Sequence, residues 1–179
     1  MNKKVIAFGA SNSSRSINKK LVIYTSGLLD GVDVEILDLN DYELPLFSVD
    51  REDEMGQPEL AQAFLKKITD CDGIIISFGE NNGSYSVAYK NLYDWVSRIQ
   101  PRVYQDQPMV LLSTSPGGRG GQSVLELALS QIPRFGGQVK ASVSVPSFGE
   151  NFDLEAGVIV NDDIRSRLQE AVNSLFSNE

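Results

Sequence analysis

A chain of 179 residues, 41% hydrophobic and 22% charged, is long enough to bury a full core and is most simply one domain. Its net charge of −8 offers no basic footprint for nucleic acid or an anionic membrane surface, and no apolar run approaches the roughly 20 residues needed to span a bilayer. Histidine is absent, which removes the commonest general base, the commonest metal ligand and every Ser-His or Cys-His arrangement, so enzymatic chemistry would have to come from a cofactor.

The first element is an apolar strand at Lys4–Gly9. Met1-Asn2-Lys3-Lys4 leads straight into it, without a signal-peptide h-region, and the single Cys71 excludes an intrachain disulfide framework, so a cytoplasmic location is expected. The strand turns into the loop Ala10-Ser11-Asn12-Ser13-Ser14-Arg15-Ser16-Ile17-Asn18, and Ile17, Leu21, Tyr24 and Leu28 then follow at helical spacing. A small-residue loop that opens a helix supplies unpaired N–H groups and the positive end of the helix dipole, which suits a phosphate. The same loop also reads as a polar βα turn with a Ser cap. Its spacing fits neither GxxxxGK[ST] nor GxGxxG.

A second strand is expected at Val32–Leu39, followed by the long acidic connection Asn40–Gln57, which reads either as a solvated loop or as an arm over a partner's site. Leu60, Phe64 and Ile68 mark the next helix, which opens near Pro58. Cys71, just before the strand Gly73–Phe78, reads as a structural thiol. The loop Gly79-Glu80-Asn81-Asn82-Gly83-Ser84-Tyr85-Ser86 comes next; Asn82-Gly83 suits a positive-φ turn whose N–H groups and Asn side chains could bind the edge of a heterocycle, and Ser84 or Ser86 could cap the following helix. That helix carries Ala88, Leu92, Trp95 and Ile99 on one face.

The strand Met109–Thr114 leads into Ser113-Thr114-Ser115-Pro116-Gly117-Gly118-Arg119-Gly120-Gly121, where missing Cβ atoms would let the backbone approach a flat ring. Arg119 reads as a surface charge or as a contact to a phosphate-bearing co-substrate. Val124, Ala128, Ile132 and Phe135 mark a helix ended by Gly136-Gly137; a strand at Val139–Val145 follows, then a last helix over Ile164, Leu168, Val172 and Leu175, with Asn161 and Asp162 as capping candidates. Five strands alternating with five helices predict a doubly wound parallel sheet with helices on both faces, in the flavodoxin-like order 2-1-3-4-5. In that order the three unusual loops fall together at the C-terminal ends of strands 1, 3 and 4, where ligands bind.

These loops resemble those of the NADPH-dependent FMN reductases, a flavodoxin-like family that includes quinone, azo and chromate reductases. The resemblance covers nearly the whole chain. It rests on Ser16, Asn18 and Leu21 in the first loop, on Glu80, Asn82, Gly83, Ser84, Lys90, Asn91, Asp94, Trp95, Ser97 and Arg98 in the second and its helix, and on Ser115 through Gly121 in the third. The Lys-Asn…Asp-Trp…Ser-Arg run is the most specific of these, and Leu44-Pro45-Leu46-Phe47 also looks like the family's loop after strand 2.

The resemblance implies a single FMN-binding domain over residues 1–179. Ser11, Ser13, Ser16, Ile17 and Asn18 would cradle the FMN phosphate. Gly79, Glu80, Asn81, Asn82, Gly83 and Ser84 would lie along the isoalloxazine, and Ser115, Pro116, Gly117, Gly118 and Gly120 would flank its other edge. NADPH or NADH would pass hydride to the flavin, and a quinone, free flavin or similar small molecule would take the electrons, with no side-chain acid or base and no metal required. A homodimer or homotetramer is implied, and the helix bearing Tyr85, Tyr89, Tyr93 and Trp95 could serve it. Gly79 and Asn81 depart from the family's Pro and Tyr. The competing reading is a non-catalytic FMN-binding electron carrier or a degenerate flavodoxin-like module.

Overall fold

A computed structural model describes residues 2–177. In chain order its elements are β1 (Lys3–Ala10), α1 (Ile17–Ser26), β2 (Val32–Leu37), α2 (Val49–Met55), α3 (Glu59–Thr69), β3 (Gly73–Phe78), β4 (Glu80–Asn81), β5 (Ser84–Tyr85), α4 (Val87–Ile99), β6 (Pro108–Thr114), α5 (Gln122–Gln131), β7 (Gln138–Val145), α6 (Phe148–Asn151), β8 (Phe152–Asp153), β9 (Val158–Ile159) and α7 (Asp162–Ser174). The principal sheet is parallel and runs β2-β1-β3-β6-β7, which is the expected 2-1-3-4-5 when only its own strands are counted.

The pleat divides the apolar residues between two cores. Ile6, Phe8, Ile74, Ile76, Met109 and Leu111 point to the face covered by α3, α4 and α5. Val5, Ala7, Ile75, Val110 and Leu112 point to the face covered by α1 and α7. All six residues of β3 are buried, because it is flanked by β1 and β6 and covered above and below.

The helices begin where capping chemistry places them. Ser16, Ser86 and Asn161 each accept a backbone N–H from the first turn of α1, α4 and α7. A 3₁₀ turn at Ile132–Phe135 extends α5, and Gly136 ends it at φ 84°. Two expected faces are rotated. In α1 the buried edge is Leu21, Val22 and Thr25, with Tyr24 and Leu28 only partly covered, and in α3 Leu60 is exposed while Ala61 joins Phe64 and Ile68 inside.

The acidic connection is more ordered than a solvated loop. It contains a 3₁₀ turn at Leu39–Tyr42 capped by Asp38, and then α2, capped by Ser48. Asp50 and Glu52 sit in the first turn of α2, where the helix dipole favours them. Cys71 is buried and donates to the Ile68 carbonyl; burial pushes its thiol up to about 11, as expected of a structural cysteine. Among the described residues no helix is long and apolar enough to cross a membrane.

Candidate functional site

The three unusual loops leave the C-terminal ends of β1, β3 and β6, adjacent strands in the sheet, and side chains tie them into one unit. Asn18 is the centre of the tie. Its Oδ1 accepts from Ser77 Oγ at 2.8 Å and from the Thr114 N–H at 3.0 Å, and its Nδ2 donates to the Thr114 carbonyl at 3.2 Å. The residue is 4% exposed. Ser86 Oγ donates to the Ala10 carbonyl at 2.8 Å, joining the first loop to the end of the second. Glu80 Oε2 accepts from the Val124 N–H at 3.0 Å, joining the second loop to the start of α5.

These bonds give two of the expected ligand residues a structural duty as well. The Asn18 side chain spends both acceptor positions of Oδ1 and one Nδ2 hydrogen on internal bonds, which leaves its second Nδ2 hydrogen and its backbone N–H as donors. Glu80 turns its carboxylate toward the start of α5. Its carboxylate supplies the cap that α5 lacks, since the N-cap Gly121 has no side chain to do so.

The first loop otherwise has the form of an anion cradle. Ser11 Oγ accepts from the Ser13 N–H and Ser13 Oγ from the Arg15 N–H, so the chain winds through two short turns into the Ser16 cap. Among the described residues the N–H groups of Ile17 and Asn18, in the first turn of α1, have no hydrogen-bond partner. Ser13, Ser14 and Arg15 are exposed beside them. Gly9 permits this placement of α1, because a Cβ there would lie 2.7 Å from Lys19 N and 2.9 Å from its Cα.

The second loop is a hairpin. Asn82 and Gly83, at φ 52° and 75°, form the positive-φ turn between β4 and β5, with Asn81 paired to Ser84. Asn81, Asn82, Gly83 and Ser84 are exposed at its tip, while Gly79 lies at its base against Ala10 and Asn18.

The third loop is pinned rather than flexible. Ser113 Oγ donates to the Gly120 carbonyl at 2.7 Å, Thr114 Oγ1 to the Val145 carbonyl at 2.7 Å, and Ser147 N–H to the Gly117 carbonyl at 3.0 Å. Its glycines divide by purpose. Cβ atoms on Gly117 and Gly118 would meet nothing within 4 Å, so these two, with exposed Pro116 and half-buried Ser115, face open space. Gly120 has φ 58°, and its Cβ would lie 2.4 Å from Ser144 Oγ and 2.8 Å from the Val145 carbonyl carbon. Gly120 is buried, and the packing against β7 is what its missing Cβ serves. Arg119 is exposed and donates to Ser123 Oγ, as a surface charge would.

Ser77, Thr114 and Ser86 complete the tie, and sequence reasoning did not single out the first two. The signal was slight: Ser77 is a polar residue inside the apolar run of β3, and Thr114 closes the run of β6. The chemistry of the donor set fits a phosphate-bearing flavin. Free helix-start N–H groups and hydroxyls lie on one side, and open glycine backbone and a polar hairpin tip on the other.

Comparison with known proteins agrees with this geometry. Residues 3–149 match the family model described as NADPH-dependent FMN reductase. An NADPH:quinone oxidoreductase of Arabidopsis thaliana is 33% identical over 158 residues, covering 84% of this chain and 76% of its own. An NAD(P)H:quinone oxidoreductase of Solanum tuberosum is 28% identical, covering 82% and 75%. Among solved structures, the flavoenzyme NAD(P)H:(acceptor) oxidoreductase FerB of Paracoccus denitrificans superposes with a TM-score of 0.76 at 22% identity, covering 97% of this chain and 94% of its own, which shows a shared fold. The chain belongs to the NADPH-dependent FMN reductase family, flavodoxin-like oxidoreductases that use FMN with NADPH or NADH as electron donor.

Proposed function

We propose that this chain takes hydride from NADPH or NADH at an FMN held by the three loops and delivers the electrons to a quinone, free flavin or similar small acceptor. The observation that carries the reading is the meeting of three ligand-type loops at one sheet edge, locked together by Asn18, Ser86 and Glu80. Bound FMN supplies the hydride-accepting chemistry. The chain's own contribution is placement. The N–H groups of Ile17 and Asn18, with the hydroxyls of Ser11, Ser13 and Ser16, hold the phosphate. Gly79 and Asn81–Ser84 border one side of the ring, and Ser115–Gly118 leave the other side open for a nicotinamide.

The test is to load the protein with FMN, record its visible absorbance, and mix it with NADPH or NADH in a stopped-flow instrument. Rapid bleaching, followed by recovery on adding a quinone, is the expected result. Flavin absorbance that never develops with added FMN overturns the binding reading, and a bound flavin that neither nucleotide bleaches favours an electron carrier.

A cytoplasmic homodimer or homotetramer is part of the same proposal. For the assembly alone, the support is a cleft of about 310 Å³ between α4 and the end of α5, lined by Tyr85, Tyr89, Tyr93 and Phe135, where the Tyr93 hydroxyl is buried without a partner among the described residues. A second copy would cover the half-buried rings of Tyr85, Tyr93 and Phe135. Light scattering coupled to gel filtration gives the mass; a monomer overturns this part.

A further inference from the structure

Asn91, Trp95 and Arg98 follow one another by four and three residues along α4, so they share a face of that helix. None of them hydrogen-bonds the three loops. All three hold the segment that follows the Leu39–Tyr42 turn. Asn91 Nδ2 donates to the carbonyls of Leu44 and Pro45 at 3.0 and 3.1 Å, and its Oδ1 accepts from the Phe47 N–H at 2.8 Å. Trp95 Nε1 donates to the Pro45 carbonyl at 2.8 Å, and its ring meets Phe47 edge-on at 5.1 Å. Arg98 Nε pairs with both oxygens of Glu52 at 2.9 and 3.0 Å. The backbone of a surface arm is thus fixed, carbonyl by carbonyl, from one helix.

The fixed arm walls a cavity of about 390 Å³. Asn12 of the first loop and Asn81 of the hairpin line its other side, so the cavity adjoins two of the three ligand loops. Leu46 and Val87 both line it and are 61% and 68% exposed, a large apolar exposure at the cavity. Among the described residues Glu43 is the only charged group in the lining. With no cation there and a net charge of −8, the cavity disfavours a dinucleotide phosphate and suits an uncharged molecule with an apolar body and carbonyl oxygens facing the asparagine amides.

We infer that the cavity is the dock for the uncharged electron acceptor, and that Asn91 is a positioning residue that holds its Leu44–Phe47 wall. The inference rests on the reductase reading above and adds which surface the acceptor uses. In the overall exchange, a hydride from NADPH and a proton from solvent convert one carbonyl pair of a quinone to the hydroquinone, leaving NADP⁺.

The experiment compares FMN-loaded wild type with Asn91→Ala and Val87→Asp, using a neutral benzoquinone and, as an acceptor too highly charged for the cavity, ferricyanide. Asn91→Ala is expected to raise KM for benzoquinone roughly tenfold, with the NADPH bleaching rate, the FMN Kd and the ferricyanide KM each within about twofold of wild type. Trp95 is the chain's only tryptophan, so its emission reports the arm directly, and it should shift to the red in Asn91→Ala and stay in place in Val87→Asp. Val87→Asp, at an exposed first-turn position where an acid suits the helix dipole, should raise the benzoquinone KM on its own, and it carries the test if Asn91→Ala fails to fold. A benzoquinone KM unmoved in Val87→Asp, or one that moves in step with ferricyanide or with the bleaching rate, overturns the inference. If wild type binds FMN and is never bleached, the reductase reading fails, and the dock stands or falls on saturable quenching of Trp95 emission by benzoquinone that Val87→Asp weakens.

Discussion

Two asparagines each make three side-chain hydrogen bonds at the functional edge, one in the phosphate loop and one behind the 44–52 arm, and they are built for opposite surroundings. Asn18 is 4% exposed and joins α1 to the C-terminal ends of β3 and β6. Asn91 is half-buried and joins α4 to carbonyls of a surface segment. Water can replace the partners of the second and cannot reach those of the first. The same amide chemistry therefore serves global stability in one region and local order in the other.

Replacing Asn18 by Ala is expected to have the largest effect. It strands the Ser77 hydroxyl and both backbone groups of Thr114, at a cost of about 2–4 kcal/mol in urea unfolding, and FMN affinity should fall with it. A loss under about 1 kcal/mol would erase the contrast with Asn91. Gly120→Ala comes next at about 2 kcal/mol, since it combines a positive φ with a Cβ 2.4 Å from Ser144 Oγ. Gly117→Ala, in open space, should leave stability unchanged, so the pair separates packing glycines from those that leave room.

Ser16→Ala and Asn91→Ala should each cost about 1 kcal/mol, the first by losing a helix cap and the second by loosening the arm. They should part in binding, with only Ser16→Ala weakening FMN. The smallest effect lies outside both regions. Burial raises the Cys71 thiol from 9.0 to about 11, so its neutral form stabilises the fold fully below pH 9 and that contribution is lost as pH rises toward 11. Stability measured across this window for wild type and Cys71→Ala should converge on the alkaline side, and the wild-type thiol should resist a thiol reagent near neutral pH until the protein unfolds.

The strands and their order were legible because β1, β3 and β6 are apolar on both faces, and only a doubly covered parallel sheet needs that. The three loops were legible from their serines, asparagines and glycines. What each side chain does there was harder to read. Asn18 and Glu80 stand in polar loops, so their structural bonds leave no mark in the linear sequence. Their partners, Thr114 and Val124, are 96 and 44 residues away, and only the folded sheet brings them near. The order in the acidic arm was hidden for a similar reason. Its composition is that of solvent-exposed chain, and what fixes it is a stripe of α4 about 45 residues later.

The bond from the Thr114 N–H to Asn18 Oδ1 has a consequence for native-state hydrogen exchange. That amide is sealed at the end of β6 and cannot donate to water until the first loop lets go, so its protection factor measures the free energy of parting two loops far apart in the chain. A molecule that binds only the joined form must slow this one amide by the factor 1 + [L]/Kd. Thr114, which need not touch the cofactor, thus becomes a clock on which occupancy of the cradle can be read in the intact protein.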